Sequence, residues 1–278
     1  MNFFNKEQGR SSRKKLLKSI LNFFTNKRQK FLLSVLVLSV GLFIAEYILG
    51  KSGIVIVLVL SFLTSLFLYL SLRDDLKENF TPQVLILPFF YTLALGLFYL
   101  LVPARLLTRF GMTFLYALGL YSLFLSENIF TVSAIRTIQL LSGARTVSLV
   151  LTMLSYFFIS NVVFSFHTNI FITLGLVILY TFPIVLHSVW TYAQEKNLFS
   201  QVFWVLTITI CLVEVAAFLW FNQGSPTVIA LFLTAIFYVI LGLTHAWFER
   251  RLFRAVILEY FWVTVISFIF LTLFSGWF

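Results

Sequence analysis

Two glutamates, Glu46 and Glu214, lie inside long apolar runs, FLLSVLVLSVGLFIAEYILG and QVFWVLTITICLVEVAAFLW. An ionisable group in such surroundings is costly to keep. A carboxyl there is therefore a candidate proton carrier, general base or ligand for a polar headgroup. Glu46 is the sixteenth residue of its run and Glu214 the fourteenth, and Asn161 is the sixteenth of the run that begins at Thr146. At 1.5 Å per residue all three reach roughly 20 Å from the start of their runs. Helical phase puts Thr207 and Cys211 on the face of Glu214, and Ser39 and Gly50 on the face of Glu46. A polar layer facing one cavity is the expectation, with Arg105, Arg109 and His167 at its rim. Side chains that snorkel to the headgroups, or pair with a rim arginine, are the structural alternative.

His187 and His245 form a second candidate pair. Each has a tryptophan within three residues and a glutamate soon after, Glu195 and Glu249. Imidazole and carboxylate together can relay protons or ligate zinc. Neither histidine has a metal partner one turn away and there is no HExxH, so no metal and no cofactor is expected. Cys211 is the single cysteine, which excludes an internal disulfide and a Cys-based zinc site. Asp occurs only at Asp74 and Asp75, read as a solvated turn. That is too few for the repeated aspartates with which membrane phosphotransferases hold Mg²⁺. Neither GxSxG nor a glycine-rich phosphate loop occurs.

What must position these residues is membrane. Sixty per cent of the residues are hydrophobic and 11% charged, and the mean hydropathy is +1.00. A soluble exterior cannot be built from that composition. Nine runs read as spans: Phe31–Gly50, Ile54–Leu72, Val84–Pro103, Met112–Ser126, Thr146–Phe166, Ile170–Val189, Gln201–Phe221, Thr227–Trp247 and Val256–Trp277. Most match the roughly 20 residues a helix needs to cross hydrocarbon. Only helices satisfy their backbone within such a run, so the fold is an all-α membrane bundle.

With the N-terminus in the cytoplasm, 17 of the 20 lysines and arginines fall inside and three, Lys51, Arg105 and Arg109, outside. The C-terminus is then outside. The tryptophans lie near span ends, where indoles prefer the interface. The +10 charge is explained by orientation, so nucleic acid is not an expected partner.

Two segments do not read as crossings. Residues 1–30 form a basic cytoplasmic segment with an amphipathic helix at 14–24. Lys14, Lys15 and Lys18 lie opposite Leu16, Leu17, Ile20, Leu21, Phe23 and Phe24, a pattern that binds anionic lipid or simply marks topology. Residues 127–145 are too apolar for an ordinary loop, and are expected to pack on the bundle or dip into the membrane and return.

Residues 31–278 then form a single transmembrane domain. Within it an offset of 58 residues aligns 175–220 with 233–278, matching Tyr180 with Tyr238, His187 with His245, and Phe203-Trp204-Val205 with Phe261-Trp262-Val263. Parallel repeats of this kind occur in transporters.

The run SENIFTVSAIRTIQLLSGARTVSLVLTMLSYFF, Ser126–Phe158, resembles uncharacterised bacterial polytopic membrane proteins of similar size. The resemblance implies a multi-pass protein of a bacterial inner membrane and transfers no functional residue.

The expected function is non-enzymatic, a transporter-like carrier or a scaffold subunit of the cell envelope. The alternative is an intramembrane enzyme acting on a lipid-linked substrate, with Glu46 or Glu214 as general base. Expected partners are membrane lipids, with other membrane subunits or a second copy of the chain.

Overall fold

The computed structural model describes residues 27–49, 53–76, 81–103, 105–133, 140–193, 198–221 and 224–274, side chains at 46–49, 74, 75, 193 and 198–200 excepted. The described residues form an all-helical fold of nine helices, each long and apolar enough to cross a membrane. They are α1 Lys27–Leu49, α2 Gly53–Leu76, α3 Ile86–Leu101, α4 Leu106–Ser133, α5 Leu141–Ser165, α6 Ile170–Ala193, α7 Leu198–Trp220, α8 Pro226–Phe248 and α9 Arg254–Phe274. One 3₁₀ turn, Pro82–Leu85, leads into α3. This is the architecture of a multi-pass membrane protein.

The helices follow the apolar runs within a few residues, except the fourth. The run read as Met112–Ser126 is a helix of 28 residues that continues through Glu127 to Ser133. Segment 127–145 is accordingly the end of α4, the start of α5 and a connection at 134–139 that lies outside the described residues. Polar residues at both ends of the run, Thr108-Arg109 and Ser126-Glu127-Asn128, hid the helix from a hydropathy reading. At 1.5 Å per residue α4 is about 42 Å long, more than the hydrocarbon needs.

The bundle is built around α5, the most buried span, which packs against α3, α4, α6 and α8. Its contacts are aromatic and hydroxyl. Tyr156 stacks on Phe237 of α8 at 3.9 Å and shares a hydrogen bond with Thr181 of α6. Ser160 bonds the Tyr180 hydroxyl at 2.8 Å. On the other side of the bundle, Thr92 of α3 donates to Thr64 of α2 and meets the Tyr116 hydroxyl of α4. Such short polar contacts hold helices together where lipid offers no hydrophobic drive. Gly119 of α4 permits a close approach, since an added Cβ would meet the Tyr91 hydroxyl, which donates to the Leu115 carbonyl.

The 58-residue offset relates the hairpin α6–α7 to the hairpin α8–α9. Their surroundings differ. Tyr180 is buried while Tyr238 is half-buried against Tyr260. Helix α9 packs chiefly on α8 and buries one residue, Leu271.

Candidate functional site

Chain alternation places the ends of α4, α6 and α8 and the start of α5 at one end of the bundle. There the interior becomes polar. On α4 the buried stripe runs Tyr116, Leu120, Leu123, Glu127, Phe130, the spacing of one helix face. Glu127 thus continues a core stripe with a carboxyl group, and its side chain has no exposure.

Opposite it stands His187 of α6, equally buried, with Nε2 2.9 Å from Glu127 Oε1. From Ile184 onward the last turns of α6 are almost entirely enclosed, because α5, α7 and α8 all pack on this helix. At 2.9 Å one proton can be held in two ways. An imidazole N–H donates to a carboxylate, or a carboxylic O–H donates to the imidazole nitrogen. The other atoms of the pair, Glu127 Oε2 and His187 Nδ1, are buried and have no hydrogen-bond partner among the described residues. The great majority of buried polar groups are paired, and an unpaired one leaves room for a water, an ion or a catalytic role. Other buried side-chain atoms here, among them those of Ser39 and Asn128, share the property, so it is the paired contact that distinguishes Glu127 and His187. Trp190 closes one side of the pair, 6.1 Å from the His187 ring, and Phe130 packs edge-on against that indole.

The neighbouring Ser188 extends the site. Its Oγ lies 3.1 Å from His245 Nε2 of α8. Tyr192 stacks on the His245 ring at 3.6 Å, and the Arg145 guanidinium sits 4.8 Å over Tyr192. Arg145 donates to the Thr191 carbonyl and pairs with Glu249, which also pairs with exposed Arg251. Ser188, His245, Tyr192, Arg145 and Glu249 form a second set of contacts that reaches the surface at the helix ends and adjoins the Glu127–His187 pair only through the chain at His187-Ser188.

The arrangement separates two chemistries. In the Ser-His-acid triad the histidine that activates the serine is itself oriented by a carboxylate. Ser188 faces His245, whereas the buried carboxylate Glu127 is bonded to His187. The groups of a relay are present but are not in hydrolase order. Among the described residues no cluster of three or more His, Cys, Asp and Glu side chains could hold a metal.

The structure places the sequence candidates as follows. His187 and His245 are both buried, 0% and 5% exposed. Asn161 is buried at the other end of the bundle, where its amide donates to Thr227. Glu214 is exposed on the outer face of α7, opposite the buried Leu212, Ala216 and Leu219. The two are not brought together. Arg105 is exposed before α4 and Arg109 is half-buried in its first turn. His167 occupies the α5–α6 turn at φ 46°. The Glu46 side chain, Glu195, and Lys14, Lys15 and Lys18 lie outside the described residues.

Glu127 lies one residue past the end of the apolar run Met112–Ser126, so hydropathy alone does not assign it to a span. Carrying the Tyr116–Leu120–Leu123 period forward by four would have put it in the core.

The family model described as "Protein of unknown function (DUF5656)" matches residues 29–274, and the chain belongs to that family. No curated protein and no solved structure matches it significantly.

Proposed function

We propose that this member of the family is a proton-coupled carrier of the bacterial inner membrane, with Glu127 and His187 as its proton-exchanging groups and their end of the bundle facing the cytoplasm. The observation that carries the reading is the buried pair. Two ionisable side chains from separate helices share one contact at 2.9 Å, and each keeps a second polar atom unpartnered. Intramembrane carboxylates and histidines that face the bundle interior are the usual elements of proton relays. The cluster of His245, Tyr192, Arg145 and Glu249 makes this end of the bundle polar out to the surface, which supports proton exchange with water there, and the lysine and arginine distribution supports its facing inward.

The intramembrane-enzyme alternative, with Glu46 or Glu214 as general base, finds less support. Glu214 faces away from the bundle and has no hydrogen-bonded nucleophile or acid beside it among the described residues.

The test is proton movement in liposomes. Protein is reconstituted with an internal pH indicator and challenged with amino acids, sugars, organic acids, organic cations and divalent cations in turn. One class drives proton flux in the wild type and none in Glu127→Gln. Solute uptake by Glu127→Gln at the wild-type rate, with the same response to a pH gradient, would overturn the reading.

A further inference from the structure

Glu214 presents a problem that the proton site does not solve. Helix α7 ends at Trp220, whose indole donates to the Thr168 carbonyl in the α5–α6 turn and so fixes the end of the bundle. Glu214 lies six residues earlier, roughly 9 Å below that level at 1.5 Å per residue. Side chains on a helix tilt toward its N-terminus. In α7 that direction leads away from the nearer interface and deeper into hydrocarbon.

Glu259 of α9 makes the contrast. It is also exposed, but it lies five residues after Arg254, and its tilt carries it back to the near surface. Glu259 can snorkel, whereas Glu214 points the wrong way. Membrane carboxylates almost always face a bundle interior. Glu214 faces outward, and no polar partner for it is found among the described residues.

We propose that α7 is a homodimer interface in which Glu214 meets Glu214 of a second copy. Two copies in one membrane share orientation and depth, so a two-fold axis along the membrane normal sets each α7 residue against itself. A carboxylic acid is both donor and acceptor, so two at equal depth hydrogen-bond each other and share a proton. The surrounding face suits close approach. Thr207, Cys211 and Phe218, at seven and three residues before Glu214 and four after it, are exposed on the same side, and two of them are small. A head-to-tail contact with another face of this chain would need a cation at matching depth. The described lysines and arginines lie instead in the helix-terminal turns or the connections between helices.

The experiment is cysteine crosslinking in native membranes. Oxidation is carried out on the wild type and, in a Cys211→Ser background, on Thr207→Cys, Phe218→Cys and Phe261→Cys. Phe261 is an exposed control on α9. The α7 cysteines give a dimer of the 32.1 kDa chain, and the α9 control does not. Glu214→Gln, whose amide pairs with itself, retains the crosslink. Glu214→Leu keeps the melting temperature, because the site is exterior, and weakens dimerisation about tenfold in a dilution series in lipid. Three results overturn the proposal: no α7 crosslink, an equal crosslink at Phe261→Cys, or Glu214→Leu dimerising as tightly as the wild type. An α7 crosslink only to a different polypeptide overturns it as well, and would assign the face to another subunit.

Discussion

At Glu127, shape and charge can be separated. Glu127→Gln keeps the contact with His187 and changes stability by about 1 kcal/mol, the worth of an ordinary hydrogen bond, while removing the exchangeable proton. Glu127→Ala leaves the buried imidazole alone, and is expected to cost on the order of 3 kcal/mol. Thermal melting in detergent beside liposome flux checks both: the Gln variant melts near the wild type and carries nothing, the Ala variant melts early. Ser188 supplies the opposite test. If Ser188 only holds His245 in place, Ser188→Ala retains most of the flux and loses about 1 kcal/mol of stability. A nucleophile would lose all activity on that change. Part of this site was legible beforehand. His187 and His245 stood out as a pair, because histidine is scarce in an apolar chain. The burial of His187 was not, because it comes from α5, α7 and α8 closing around the end of α6, and a linear sequence does not display such contacts.

Among the helices, α4 shows where hydropathy misleads. Its length is set by continuous backbone bonding through Ser126, Glu127 and Asn128. These residues resemble a loop only when each is weighed for polarity instead of for its place on the buried stripe. The other eight runs were found within a few residues, since twenty apolar residues in a row have no other stable use. The packing between helices was less visible, as the glycine that matters most is one of twelve. Gly119 admits the Tyr91 hydroxyl, and Gly119→Val would push a branched side chain into it. The expected loss is about 1–3 kcal/mol, typical of overpacking, read as a lower melting temperature. Tyr91→Phe in the same background should recover part of it by removing the colliding oxygen. Pro183 adds a second element-scale expectation. It lies within α6 one turn before His187, and it leaves the Leu179 carbonyl without its helical N–H. Restoring that bond with Pro183→Ala should raise stability and slow transport, if α6 bends there during the cycle. Flux and melting temperature measured together test this.

Across the whole molecule, if each of the nine membrane-capable helices among the described residues crosses, Glu127, His187, His245 and Arg145 fall on the N-terminal side, which is part of the function proposed above. Reporter fusions after Leu72 and at the C-terminus should give opposite activities, the first cytoplasmic and the second outside. Like activities would break the count of crossings. Proton exchange between the buried Glu127–His187 pair and bulk water is read by infrared difference spectroscopy of the protein in lipid. On a step in bulk pH, the wild type is predicted to show a reversible carboxyl C=O band that is absent in Glu127→Gln and displaced in His187→Asn. Superimposable wild-type and Glu127→Gln difference spectra, over the pH range in which both stay folded, would contradict the account and leave the pair a static crosslink between α4 and α6.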